Sequence, residues 1–364
     1  MIGRVGRAGG LVLGALLVAG GCGTTSSSPA VAGASIASAA PSPSGSPRPL
    51  TGARLPAGIV PAGLDADRFV FADGQGASVM NLDSGDVTRI PAPLSGRVFR
   101  PTGFSGNLVI GEVSGALGPD QGVAQAIGYD LAAESWLDVA ATLPAGDVSS
   151  ATATDGATIA GLDLGPTGGK GPARAYVFDA ASGSVTWLPN LADGRVPVPA
   201  DVGDGYIVGG VDGARHGGGW VWDQTASSYT MLAAAAKSDL ADPRAVSGDT
   251  VVGTLDGQTT STDSPFVYDA ATKAFTDLRL PGFGGKDVSG HLVLMPEEGG
   301  WNGWLRNLDT GAQVAFDKII VDGSPVAVRP WAVSDGWVIG LTAPPAGSSA
   351  AFGSVVAIAL GEQP

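Results

Sequence analysis

The sequence predicts an all-β protein of short strands joined by tight turns, and three observations carry that prediction. Glycine and proline are abundant, at 58 and 26 of 364 residues, which favours turns over long helices. Charged residues make up only 15% and mean hydropathy is +0.22, so the chain has apolar surface enough for a sizeable core. Beyond about residue 50, one strand-and-turn phrase recurs with a spacing near 45 residues.

Taken in order, the first segment is an export signal. Residues 1–21 hold Arg4 and Arg7, then the apolar run Leu11 to Val18, then small residues at Ala19, Gly20 and Gly21. The apolar run is shorter than the roughly 20 residues a membrane-spanning helix needs. Leu17-Val-Ala-Gly-Gly-Cys22 resembles the bacterial lipobox, which implies lipidation of Cys22, although Ala19 stands where that motif prefers Leu. Cys22 is the one cysteine of the chain, so no intrachain disulfide can form. The competing reading is an ordinary secretory signal with an incidental cysteine.

From Gly23 to Leu50 almost every residue is Ser, Ala, Pro, Gly or Thr. Such a stretch cannot bury enough apolar surface to offset its ordering entropy, and it reads as a tether spanning about 30 Å. The expected organisation is therefore a signal peptide at 1–21, a lipidated cysteine and tether at 22–50, and a folded domain at 51–364.

Within that domain the repeat has two halves. The first is a Ser-Gly or Asp-Gly turn followed by a β-branched run, as in Ser105-Gly-Asn-Leu-Val-Ile-Gly111 and Ser247-Gly-Asp-Thr-Val-Val-Gly253. Its end residues, from a degenerate copy at Asp67–Ala72 onward, step by 39, 50, 48, 44, 42 and 45. The second half is an aromatic-Asp pair and a small-residue turn, seen at Tyr129-Asp130, Phe178-Asp179, Trp222-Asp223 and Tyr268-Asp269. Four strands in each such unit is the pattern of a β-propeller blade. The spacing predicts seven blades, with six as the alternative if the degenerate copy lies elsewhere. The last unit lacks a fourth strand and the segment around Leu55 to Val60 lacks a place in the first, so the N-terminal segment is expected to close the ring.

The alternation of Asp242-Pro-Arg-Ala-Val-Ser-Gly-Asp-Thr-Val-Val-Gly253 with Ser264-Pro-Phe-Val-Tyr-Asp269 resembles the bacterial extracellular HAF-type repeats, and more loosely kelch and WD-type propellers. The likeness covers most of residues 97 to 342. It lacks the paired Gly-His and Trp-Asp signature of WD repeats. The resemblance implies a propeller outside the cytoplasm and implies no particular activity.

Net charge is −14, and an acidic surface repels phosphate backbones, so nucleic acid is an unfavoured partner. With one cysteine and two histidines, neither a metal site nor a cofactor is expected. No nucleophile elbow, phosphate loop or sialidase-type box is present. The long Gly-rich second-to-third-strand loops (around 162–173, 211–218, 254–264 and 296–302) share one face of the disc, and that face is the expected binding face.

Candidate binding residues follow from that choice. Arg100, Arg244, Lys286 and Arg329 recur near the start of the innermost strands, at offsets of even difference from the turn serine, which places them on one side of a strand. They are expected either to hold a carboxylate or phosphate or to pair with Asp201, Asp242 or Asp287. Asp212 and His216 share one Gly-rich loop, and Glu297 with Trp301 forms a carboxylate beside an aromatic ring.

The sequence thus points to a membrane-anchored, extracytoplasmic, monomeric propeller that binds an envelope protein, a glycan or a small anionic ligand. The alternative is a carboxylate-dependent glycan hydrolase or lyase. The anchor has a direct check: Cys22→Ala is expected to move the protein from the detergent phase to the aqueous phase in Triton X-114 partitioning. A variant that stays with the detergent contradicts lipidation.

Overall fold

A computed structural model of the chain describes residues 50–93, 97–115, 124–145, 147–166, 173–211, 218–232, 239–257, 263–346 and 348–361. The export signal, Cys22 and the tether up to residue 49 lie outside the described residues, as do Asp212 and His216. The described chain is all-β, with a 3₁₀ turn at Ala140–Thr142.

Seven antiparallel sheets follow one another along the chain, at 60–89, 97–137, 147–187, 197–232, 239–277, 287–315 and 328–359. The first strand of each blade packs against the first strand of the next, and the seventh packs back on the first. This closed circuit of first strands is the inner wall of a seven-bladed propeller.

The repeat's turn residues have physical work in every blade. Gly106, Gly156, Gly205, Gly248, Gly290 and Gly336 adopt positive φ between strands one and two, where a side chain would be strained. In the degenerate first blade Ala66 takes that conformation instead, at φ 49°. The aromatic-Asp pairs close their turns through the carboxylate: Ser182, Ala226 and Thr272 donate backbone N–H groups to Asp179, Asp223 and Asp269. The aromatics themselves, Tyr129, Phe178, Trp222 and Tyr268, are buried in the core between blades, and Tyr176, Trp220 and Phe266, two residues before three of them, are fully buried.

The first strand carries a bulge at the same place in six blades, with register shifts at 61/63, 101/103, 151/153, 199/201, 243/245 and 330/332. The bend pushes the bulged strand against its partner. A Cβ on Gly111, Gly161, Gly209 or Gly253 would collide with the carbonyl oxygens of Arg100, Ser150, Val198 and Asp242. The β-branched runs therefore end in glycine because of steric crowding from the bulge.

Ring closure differs in detail from the expectation. Thr51–Arg54, and not the stretch from Leu55 to Val60, supplies the outer strand of blade seven, with Gly52 opposite Ile358 and Arg54 opposite Val356. Leu55 still donates its N–H to Val355 at 2.9 Å, and Val60 already begins the inner strand of blade one. Thr51-Gly-Ala-Arg54 has no β-branched run to advertise a strand. Pairing with the last blade makes it one.

The blade seven sheet is also wider than the four strands expected. A hairpin of Ile319–Val321 and Ser324–Val326 adds to it, with Ile319–Val321 running parallel to Thr51–Arg54. Leu50, Phe316, Ile319, Val321 and Ile358 form one buried cluster across that junction. The closing strand thus lies inside a sheet and leaves no free edge.

Truncation tests the closure. Removing residues 1–54 is expected to lower the melting midpoint by about 5–10 °C relative to removing 1–49, the shift that a loss of about 3 kcal/mol gives in a domain this large. Equal midpoints for the two truncations contradict closure by Thr51–Arg54.

Candidate functional site

The early residues of the inner strands lie at the long-loop end of the central channel and the later ones at the short-turn end. The bulge residues of blades five and seven, Arg244 and Trp331, and their counterpart Lys286 in blade six line a cavity of about 380 Å³ on the long-loop face. Asp201 and Asp287, the residues just after the bulge position in blades four and six, line a cavity of about 340 Å³ at the short-turn end. The channel is polarised, with cations at one mouth and carboxyls at the other.

The long-loop mouth is built from three consecutive blades. Arg244 comes from blade five, Lys286 from blade six and Arg329 with Trp331 from blade seven, while Glu298 and Thr254 reach in from the rim. The floor is Gly284-Gly285. A Cβ on Gly284 would lie 2.6 Å from both Glu298 Oε1 and Thr254 Oγ1, and one on Gly285 would lie 2.5 Å from the carbonyl oxygen of Gly253. Neither glycine has positive φ. Both are required for space.

The cations differ in their partners. Arg244 pairs with Asp242 of its own strand, Nη2 to Oδ2 at 2.5 Å. Arg329 and the Lys286 ammonium make no hydrogen bond or ion pair with any of the described residues. Lys286 Nζ lies 5.9 Å from the centroid of the Trp331 ring. Solvent reaches Lys286 through the mouth, yet protein crowds it on the other sides. That desolvation, reinforced by Arg244 and Arg329 and opposed by Asp287 and Glu298, lowers its pKa.

Of the expected pairings with Asp201, Asp242 and Asp287, only Arg244 with Asp242 forms. Asp201 and Asp287 serve the backbone instead. Val246 N–H donates to Asp201 Oδ2 at 2.8 Å and Val333 N–H donates to Asp287 Oδ2 at 2.8 Å, each joining one blade to the next. Burial pushes Asp201 up to about 8 and Asp287 up to about 6, and the Asp287 charge adds to the Asp201 shift.

The other described candidates, Arg100, Glu297 and Trp301, do not line this mouth. Arg100 lies on blade two, away from blades five to seven, where it stands opposite Glu112 and opposes the upward shift that burial imposes on that carboxyl. Glu297 accepts a bond from Asn302 Nδ2 at 3.2 Å and closes its own loop. Trp301 is half-buried outside the cavity, and Trp331 is the aromatic ring of the mouth. Thr254, Trp331 and the Gly284-Gly285 floor were not among the candidates. The adjacent pair Glu297-Glu298 was visible, but nothing in the sequence says which member turns inward.

Neither a protein-family model nor a curated protein sequence matches the chain. Among solved structures it is similar to an oligogalacturonate lyase from Vibrio parahaemolyticus, at 10% identity and TM-score 0.54, over 85% of this chain and 93% of that one. It is also similar to the β-propeller domain of the Trilobed protease from Pyrococcus furiosus, which has an open velcro topology, at 14% identity and TM-score 0.51. That match covers 84% of this chain and 93% of the other. An uncomplexed acylaminoacyl peptidase from Pyrococcus horikoshii matches at 12% identity and TM-score 0.50, over 83% of this chain and 51% of that one. These likenesses are of fold.

The raised carboxyls make stability depend on pH with a definite sign. Between the unfolded carboxyl pKa, about 4, and the folded values, the folded state holds protons that the unfolded state has released. Stability is therefore expected to fall as pH rises from about 4 to 8, by at most about 1.4 kcal/mol per pH unit for each such proton. Asp201→Asn keeps an oxygen for Val246 N–H and should flatten the upper part of that slope in melting curves. A slope unchanged by the substitution contradicts the assignment.

Proposed function

We propose that this protein is a lipid-anchored envelope propeller that binds ligands through the cationic mouth of its channel, with an anionic group held by Arg244, Lys286 and Arg329. One observation carries the reading: three consecutive blades bring cations into a single cavity, and two of the three form no direct ion pair with a described residue. In a low-dielectric concavity such charges attract an acceptor-only group more strongly than scattered surface cations do. The long-loop location agrees with the usual placement of binding residues on loops over a rigid scaffold. The tether of residues 23–50 would hold this mouth clear of the membrane to which Cys22 attaches the chain.

A second reading, a carboxylate-dependent glycan hydrolase or lyase, has one observation in its favour. Glu298 faces the same cavity as Lys286, so an acid–base pair shares the mouth with the cations. The fold is compatible with both readings, since propellers carry binding and catalytic sites alike.

The test is a thermal-shift screen of the full-length protein in mild detergent against small carboxylates, sugar acids and phosphate at low salt. At least one anion is expected to raise the melting midpoint, and Lys286→Met combined with Arg329→Met should remove half or more of that shift. No stabilising anion, or a shift that survives the double substitution, contradicts the proposal. Turnover of any sugar-acid polymer that Glu298→Gln abolishes would favour the second reading.

A further inference from the structure

The cationic mouth carries more chemical information than its charge, and the inference that follows rests on the anion-binding reading above. Arg244 is matched by Asp242, which leaves Lys286 and Arg329 facing Glu298. The balance suits a monoanion. A dianionic phosphate ester would set two negative charges beside the Glu298 carboxylate, and like charges at such range are unfavourable.

Glu298 can only accept hydrogen bonds while ionised, so a ligand that satisfies it must bring donors. Thr254 adds a hydroxyl that both donates and accepts, and the two side-chain oxygens flank the Cα of Gly284. Hydroxyl groups are the donors that suit this edge, because an ammonium donor would be repelled by Lys286 and Arg329. Trp331 adds a flat apolar face, against which the C–H face of a pyranose ring packs. The cavity volume of about 380 Å³ admits one or two such rings.

We infer that the mouth is a site for a carboxylated sugar of the uronic acid class, with the carboxylate between Lys286 and Arg329, the ring on Trp331 and hydroxyls on Glu298 and Thr254. Of the two floor glycines, Gly284 is the one that bears on recognition. A side chain at Gly284 would displace the tips of Glu298 and Thr254 but not the backbone of a neighbouring blade, so the position is open for recognition more than for folding. At Gly285 the obstacle is the backbone of Gly253, and there the requirement is structural.

The experiment is isothermal titration calorimetry of the full-length protein in mild detergent at neutral pH and low salt. The probes are galacturonate and glucuronate, acetate as a carboxylate without hydroxyls, inorganic phosphate, and galactose as hydroxyls without a carboxylate. At least one uronate is expected to bind about tenfold or more tightly than acetate, phosphate and galactose, because it alone engages the cations, the ring face and the hydroxyl-accepting edge together. Glu298→Gln and Gly284→Ala should each weaken the uronate by about fivefold or more, and Glu298→Gln should not weaken acetate, because it removes a negative charge beside the bound carboxylate, with the fold of each variant checked by circular dichroism.

Acetate or phosphate binding as tightly as the uronate overturns the inference and leaves the anion-binding reading in place. So does a Glu298→Gln variant with unchanged uronate affinity. Absence of binding by every anion overturns both.

Discussion

The rest of the structure depends on the closing of the ring. A four-stranded blade is a wedge with two apolar faces, and it buries them only if the next wedge is present on each side. In this chain the last gap is filled by Thr51–Arg54, which joins blade seven between Val355–Ala359 and the hairpin strand Ile319–Val321. Closure holds the seven first strands side by side around one channel. Polar contacts reinforce the circuit: Gly106 N–H donates to Asp65, Gly248 N–H to Asp204, and Ser334 Oγ to the carbonyl oxygen of Ala66 across the seven-to-one junction.

Once the first strands face one another, the bulge determines what the channel presents. Residues up to the bulge reach the long-loop mouth and residues after it the short-turn mouth, as with Arg244 and Val246 in blade five and Trp331 and Val333 in blade seven. In blades one to four the bulge residues are Ala62, Thr102, Thr152 and Ala200, small and uncharged. In blades five to seven the same place holds Arg244, Lys286 and Trp331. The ring is regular in backbone and lopsided in chemistry, and the lopsided sector is the proposed site. At the opposite mouth Asp201 and Asp287 join blades through backbone N–H groups, a structural duty.

Much of this was legible in the sequence because the turns demand particular residues. The Ser-Gly and Asp-Gly pairs mark a positive-φ requirement, and the aromatic-Asp pairs mark a side-chain-closed turn, so the seven-unit count followed from local chemistry. The closing strand was located only approximately, because Thr51–Arg54 takes its conformation from a partner 300 residues away. The hairpin at Ile319–Val326 carried a local signal, the apolar Ile319-Ile-Val321 before Asp322-Gly323, but it falls outside the repeat. Arg244, Lys286 and Arg329 do share one cavity, but strand parity is not what gathers them. Arg100 and Arg329 precede the bulge while Arg244 occupies it, and an extra residue breaks the two-residue alternation on which parity rests. Arg329 joins the mouth because blade seven neighbours blade six. Arg100 is excluded because blade two does not.

The central claim is that blades five, six and seven together build one anion site at the long-loop mouth. A crystal soaked in bromide tests it most directly, since bromide reports by anomalous scattering where an unshaped anion settles. The account predicts a peak within the cavity lined by Arg244, Lys286 and Arg329, stronger than at any lone surface arginine. Bromide distributed over surface cations, with none in that cavity, would contradict it.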